Sequence, residues 1–554
     1  QHMQYNLFIN NWKKNKQKLI KNHVYDELNE HSSCGVGLIA SLKNVPTREV
    51  VEMGIEALKC LYHRGAVDAD GKTGDGAGIQ LDIPKQFFKE QIERTGQKSN
   101  NLAFGVGMIF LPRTNFNAQE RSRSIVESEI LKEGLKIYGW RHVPVNTKVV
   151  GEKAKVTRPE IEQVLIANDI YKDEKDFETK LYIIRKRIEN QIRKENINDF
   201  YICSLSCRSI IYKGMFLAEQ LSSFYPDILD KRFVSKFAIY HQRYSTNTFP
   251  TWSLAQPFRV LAHNGEINTL KGNKNWMSAH EPRLQHNNFG NSVDDLKPII
   301  NSNDSDSAAL DSAMELLVQA NRSLPMAKLM MIPEAWAHRR DFSVKLKNLY
   351  AYANAVLEPW DGPAAICAVH GEWSIAGMDR NGLRPLRYTQ TDDYLIVGSE
   401  TGMVELDESK IIAKGRVGPG QMIAVNFNQA KLYKDDEIKL YLSSSKPFNK
   451  WTKKTIHIDK LVQSTEEHFR NIDKAELRKR MAAFGWTIED LEMILHPMIV
   501  DGKEATGSMG DDTPLAVLTT KYRGLHHFFR QNFSQVTNPA IDSLREKVVM
   551  SLRT

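Results

Sequence analysis

Cys34-Gly35-Val36-Gly37 follows a leader of 33 residues, and the reading of this short stretch decides what the rest of the chain is. A cysteine whose own α-amine is free carries nucleophile and base on one residue, because an α-amine titrates at roughly 7.7–8 and accepts a proton near neutrality. While Ser33 remains attached, that nitrogen is an amide without basicity. The reading therefore makes removal of the leader an activation step. The alternative is a buried cysteine beside two turn glycines, since a lone cysteine is usually a core residue.

The 554 residues, 41% of them hydrophobic, suffice for several ordinary domains. Lys and Arg number 75 against 67 Asp and Glu, and a net charge of +8 without a basic stripe is no nucleic-acid footprint. The five cysteines form neither a CxxC pair nor a Cys/His cluster, which points to a reducing compartment and away from a metal site in this chain. No run of 18 apolar residues is present to span a membrane. In the leader, Leu7-Phe8-Ile9 precedes five lysines between Lys13 and Lys21, the reverse of a secretory signal. A transit sequence would fit the lysines but not Asp26, Glu27 and Glu30. Gln1-His2-Met3 reads as a cloning remnant.

Val51, Ile55, Leu58 and Tyr62 follow a 4-3-4 spacing, which predicts a helix over 50–62 that Gly65 ends. The glycine-rich stretch 70–78 then leads into a strand through Ile79 and Leu81. Gly71-Lys72-Thr73 is no phosphate loop: five residues separate it from Gly65 where four are needed, and a helix precedes it rather than a strand. Strand-like stretches occupy 102–111, 201–212, 237–240, 364–369, 372–378 and 394–397. Within the second, Tyr201, Cys203, Leu205 and Cys207 alternate onto one face, which makes both cysteines core residues. Helical periodicity dominates 158–197. Strands, helices and strands without a steady βα alternation predict an α+β fold. Ser443-Ser444-Ser445 and Pro447 mark a boundary within 439–460, and Thr487 with Asp490 forms a capping box ahead of Leu491, Ile494 and Leu495. The chain ends at Thr554 without a terminating signal, as a truncated domain would.

Amide hydrolysis needs a nucleophile, a proton acceptor, donors for the developing oxyanion and groups that hold the substrate. His263-Asn264-Gly265-Glu266 follows the apolar Val260-Leu261-Ala262 as a strand running into a tight turn. Asn264 offers a side-chain NH2 and Gly265 an unobstructed N–H, which together suit an oxyanion hole; the alternative is an Asn-Gly hairpin turn. Arg243, within His241-Gln242-Arg243-Tyr244-Ser245-Thr246, can hold an α-carboxylate bidentately, or can be a surface arginine. Asp306, within Ser305-Asp306-Ser307-Ala308, can pair with an α-ammonium, or can cap the helix that follows. Asp304 offers the same chemistry two residues earlier.

In this order, Cys34, the run 241–246, His263-Asn264-Gly265 and Ser305-Asp306-Ser307 resemble the class II glutamine amidotransferases, whose nucleophile is an N-terminal cysteine. The resemblance implies Cys34 as nucleophile, Asn264 and Gly265 at the oxyanion, and Arg243 and Asp306 on the substrate. Arg64 of His63-Arg64-Gly65, His241 and Thr246 would be further substrate-binding groups. Asp379-Arg380-Asn381-Gly382-Leu383-Arg384-Pro385-Leu386 resembles a loop of this family, although its residues alone read only as a hairpin. Trp360-Asp361-Gly362-Pro363-Ala364, the segment 507–514 and Val536-Thr537-Asn538-Pro539 are similar to the glutamate synthases within that class, so the resemblance covers Cys34 to Thr554. The absence of an acidic phosphoribosyl-diphosphate motif disfavours the amidophosphoribosyltransferases.

The implied organisation is a remnant at 1–3, a propeptide at 4–33, an amidotransferase domain at 34–430, a connecting segment at 431–475 and the beginning of an α/β central domain at 476–554. The implied fold is α+β, a four-layer αββα sandwich of the N-terminal-nucleophile hydrolase type. The implied reaction is hydrolysis of L-glutamine to glutamate and ammonia through a Cys34 thioester, with ammonia channelled to 2-oxoglutarate. FMN and an iron–sulfur cluster would lie in a barrel and β-helix portion outside this chain, which itself would hold no cofactor and no metal. The implied partners are that remainder and ferredoxin or an NAD(P)H-oxidising small subunit, with no nucleic acid and no membrane, in cytoplasm or plastid. The alternatives are another class II amidotransferase, or a silent regulatory or scaffold module that keeps its leader.

Overall fold

The computed structural model describes residues 2–23, 33–100, 102–245, 249–456, 458, 472–502, 505 and 515–529. The chain divides into two compact units, Gln1–Lys453 with Ala540–Thr554, and Lys454–Pro539.

The first unit is built on two antiparallel sheets. One has seven strands in the order β14 (Ile411–Arg416), β12 (Arg387–Thr391), β13 (Tyr394–Gly398), β1 (Gly35–Ser41), β8 (Phe237–Gln242), β2 (Ala77–Asp82) and β7 (Ser209–Gly214). The other has five: β16 (Lys431–Tyr433), β15 (Met422–Asn426), β11 (Trp373–Met378), β10 (Ala364–His370) and β9 (Leu261–Gly265). Alternate residues of a strand point to opposite faces, and the cores obey this. Val36, Leu38, Ala40, Phe237 and Ile239 meet Ala262, Ala365, Cys367, Ala376 and Val425 between the sheets. Ile39, Ala238 and Tyr240 face the other way, against Val51, Ile55 and Leu58 of the helix Arg48–Cys60. On the far face of the five-stranded sheet, Ile366, Ala368 and Ile375 pack under the helices Asp306–Gln319, Leu324–Met331 and Val344–Val356. These are the four layers of an αββα sandwich.

A third sheet departs from the sequence reading. Its order is β4 (Lys136–His142), β5 (Glu160–Ala167), β3 (Gly105–Leu111) and β6 (Tyr201–Ser206), and the helices Phe116–Lys132 and Glu174–Lys194 cover one face. Residues 160–167, expected to be helical, form its buried second strand, since the apolar run at 164–167 suits a strand covered on both faces as well as a helix. The stretch 201–212 is two strands, β6 here and β7 in the seven-stranded sheet. The register of β6 shifts opposite Met108 and Ile109, so Cys203 and Cys207, both buried, lie in different cores rather than on one face. Residues 431–452, expected within a connector, supply β16 and the helices Asp435–Ser444 and Phe448–Thr452.

In the second unit the capping box at Thr487 forms as its sequence predicts. The Thr487 N–H donates to Asp490 Oδ2 at 2.7 Å and the Asp490 N–H to Thr487 Oγ1 at 3.2 Å, ahead of the helical run that ends with His496–Asp501. Segments 507–514 and 536–539 lie outside the described residues.

Candidate active site

Cys34 immediately precedes β1, which lies between β8 and β13, with Gly35 opposite Gln242 and Gly37 opposite Gly398. A residue entering the sheet between two strands meets the loops at both their ends, here Arg243–Ser245 and Ser399–Glu400. The Tyr244 N–H donates to Cys34 Sγ at 3.3 Å, and the thiol lies 3.5 Å from the Tyr244 carbonyl that accepts from it. Glycine is needed at position 37, where a Cβ would fall 2.2 Å from Tyr240 Oη. Burial pushes the Cys34 thiol pKa up; the Tyr244 amide and the Arg243 and Arg384 guanidinium groups pull it down, and the Asp306 carboxylate pushes it up again. With Ser33 attached the thiol therefore stays protonated at neutral pH.

Arg243 is buried, not the exposed loop arginine of the alternative reading, and its N–H donates to the Gly76 carbonyl at 2.8 Å. The Ser245 N–H donates to Asp75 Oδ2 at 2.6 Å, so the glycine-rich segment braces this loop. Asp306 is not the cap of its helix. Ser305 is, accepting from the Ala308 N–H at 3.2 Å, which frees the Asp306 carboxylate to accept from the Ile267 N–H at 3.0 Å and the Ser307 hydroxyl at 3.3 Å. Asp304 turns instead to the Asn301 N–H at 3.0 Å. Geometry thus brings Asp306, and not Asp304, to the segment that follows Asn264 and Gly265.

Asn264 and Gly265 end the edge strand β9, opposite Ala365 and Ala364, and do not form a hairpin turn. The Glu266 N–H donates to the Pro363 carbonyl at 2.8 Å, and because an antiparallel ladder alternates, the Gly265 N–H points away from β10, off the open edge. The buried Asn264 Nδ2 has no partner among the described residues, an orphan donor of the kind that a native site keeps for a ligand. A Cβ on Gly265 would fall 1.8 Å from the Pro363 carbonyl oxygen. A Cβ on Gly362, which sits at φ +145°, would fall 1.9 Å from the Glu266 carbonyl oxygen.

The support behind this turn is a chain of hydrogen bonds. The Asp361 carbonyl accepts from the Asn268 N–H at 2.8 Å, and the Asp361 N–H donates to Thr269 Oγ1 at 2.9 Å. Arg380 grips the Asp361 carboxylate with bonds of 2.9 and 3.2 Å. Asp379 accepts from the Ala364 N–H at 2.9 Å and from the Asn381 and Gly382 N–H groups at 2.9 and 3.2 Å. Asn381-Gly382 is a turn, with Gly382 at φ +62°, but it passes from β11 to β12 in the other sheet rather than closing a hairpin.

Arg64 pairs with Glu400 and donates through Nη1 to Ser33 Oγ at 3.0 Å, while His63 Nε2 lies 2.8 Å from the same carboxylate. His241 is fully buried, with Nε2 3.1 Å from the His263 carbonyl, and burial lowers its pKa to about 3, so it is a neutral link between β8 and β9. His263 Nδ1 lies 2.8 Å from Ser307 Oγ. Thr246 lies outside the described residues. Three groups escaped the sequence reading: Asp75, Glu400 and Arg384, which lies within electrostatic reach of Cys34 and His263. Each comes from a segment distant in sequence, and only the Asp379–Leu386 loop carried any signal.

Among the described residues, His142, Glu160 and Glu162 have metal-ligand spacing. Arg123 already holds Glu162 at 2.9 and 2.5 Å and supplies the positive charge there.

A cysteine at a strand start, a buried amide donor without a partner among the described residues, and an arginine and an aspartate within electrostatic reach of that cysteine are brought together on an αββα sandwich, the fold of the N-terminal-nucleophile amidotransferases. The model of class-II glutamine amidotransferases matches residues 34–451, beginning at Cys34 itself, and the chain belongs to that family. Residues 479–554 match the glutamate synthase central domain. The chain is 58% identical over 550 residues to a glutamate synthase [NADPH] large chain of Azospirillum brasilense, covering 99% of this chain and 36% of that one. It is 43% identical over 538 residues to a chloroplastic ferredoxin-dependent glutamate synthase 2 of Arabidopsis thaliana, covering 96% and 33%. With a Bacillus subtilis glutamate synthase [NADPH] large chain the identity is 42% over 532 residues, covering 95% and 34%. The chain thus spans about a third of the length of these relatives. No helix among the described residues is long and apolar enough to cross a membrane.

Proposed function

We propose that the amidotransferase unit hydrolyses L-glutamine to glutamate and ammonia once the chain begins at Cys34. The free α-amine takes the thiol proton as Sγ attacks the side-chain carboxamide carbon of glutamine. The Asn264 NH2 and the Gly265 N–H donate to the oxyanion. The amine then passes the proton to the departing nitrogen, the C–N bond breaks, and ammonia leaves a Cys34 thioester. Water, deprotonated by the same amine, hydrolyses the thioester to glutamate. Arg243 holds the substrate α-carboxylate and Asp306 its α-ammonium, with Arg64 beside the new N-terminus.

The observation that carries this reading is the buried, unpartnered Nδ2 of Asn264 beside an N–H aimed off the sheet edge. Its test is ammonia release from glutamine by protein whose intact mass shows Cys34 first; no release overturns it.

In the longer protein, ammonia would pass to 2-oxoglutarate and the resulting imine be reduced at FMN, with an iron–sulfur cluster carrying electrons, all outside this chain. The relatives are named for both NADPH and ferredoxin, so the donor is one of these, and a cytoplasmic or plastid setting accords with both kinds of name.

A further inference from the structure

The leader helix His2–Asn22 belongs to the amidotransferase unit and turns one face to it. Phe8, Ile9, Trp12 and Lys16 are half-buried, whereas Lys13, Lys14, Lys18 and Lys21 are exposed. Positions 8, 12 and 16 share one side of a helix. The Trp12 ring meets Tyr62 edge to face, with centroids 4.9 Å apart at 69°, and the Phe8 ring does so at 6.3 Å and 79°. This is the arrangement that aromatic quadrupoles favour, and two such contacts on one tyrosine form a specific socket. Tyr62 opens the single turn Tyr62–Arg64, and the last residue of that turn holds Ser33 Oγ at 3.0 Å. The helix therefore bears on the turn that supplies Arg64 to the site.

We propose that Tyr62 is the centre of a docking surface for the leader helix, that the surface outlives removal of the leader, and that the free leader segment binds there as an inhibitor of glutamine hydrolysis. The partner it fits is an amphipathic helix carrying an aromatic pair four residues apart, with lysines on its outer face. The proposal rests on the reading that the mature chain starts at Cys34.

The test adds a synthetic peptide of residues 3–23 to protein beginning at Cys34 and measures both peptide binding, by calorimetry, and ammonia release. The expected result is saturable binding with loss of turnover, and at least about tenfold weaker binding and inhibition for the Phe8→Ala/Trp12→Ala peptide. Tyr62→Ala protein should lose peptide binding to a similar degree. No binding, equal binding by the doubly substituted peptide, or binding without loss of turnover overturns the proposal. If protein starting at Cys34 releases no ammonia even without peptide, the reading of the site fails separately, and docking at Tyr62 is judged on binding alone.

Discussion

Arg64 Nη1 donates to Ser33 Oγ at 3.0 Å, so the residue that the proposed leader removal would take away is held by a guanidinium that is itself anchored on Glu400. Burial raises the Glu400 pKa and its bonds to His63 and Arg64 more than reverse this, leaving it below the usual carboxylate range. On the proposed cleavage before Cys34, an α-amine would take the place of Ser33 beside a fixed ion pair. The junction is thereby built into the site.

Asn264→Ala should lower kcat by on the order of 10²–10³, the usual effect of deleting one oxyanion donor. Steady-state ammonia release measures this. An unchanged kcat would reduce Asn264 to the end of a strand.

Arg243→Lys and Asp306→Asn should raise KM for glutamine more than they lower kcat, since both are proposed to hold groups that do not react. Normal saturation by glutamine would contradict their assignment. Helix capping should survive Asp306→Asn, because Ser305 provides the cap, so a large loss of thermal stability is not expected.

Gly265→Ala should abolish turnover and destabilise the unit, because its Cβ would lie 1.8 Å from the Pro363 carbonyl oxygen and must push β9 from β10. Rates and melting temperature should fall together. A fully active, equally stable variant would mean that the edge of β9 is not held as described.

Lys213 is fully buried and donates to the Ser253 and Ala255 carbonyls at 2.8 Å each. Burial lowers its pKa to about 7. Above that pH the folded state holds fewer protons than the unfolded chain, so the Lys213 contribution to stability should rise with pH, from about 7 toward the free-lysine value near 10.4. The slope should reach up to about 1.4 kcal/mol per pH unit, seen as the difference between wild type and Lys213→Met in denaturant unfolding at several pH values. A flat difference would show that Lys213 keeps its proton.

Local signals were legible and long-range ones were not. The 4-3 spacing of Val51, Ile55 and Leu58 marks the helix Arg48–Cys60, though that helix stops before Tyr62, which opens a separate turn ended by Gly65. The Thr487–Asp490 capping box is equally local. Residues 160–167 were misread because apolar content alone does not separate a doubly covered strand from a buried helix. At the site, Cys34, Arg243, Asn264, Gly265 and Asp306 were nominated from short motifs. Asp75 and Glu400 were invisible because the loops that bring them to Ser245 and Arg64 meet only in the folded sheet.

The most direct test compares glutamine hydrolysis by two forms of the chain whose intact masses are verified, one beginning at Cys34 and one retaining residues 4–33. Only in the first is the Cys34 nitrogen a base, so that form should turn over glutamine and the other should not, and Cys34→Ala in the first form should abolish the activity while the unit stays folded. Equal rates for the two forms would contradict the account, because a peptide-bonded nitrogen cannot accept the thiol proton.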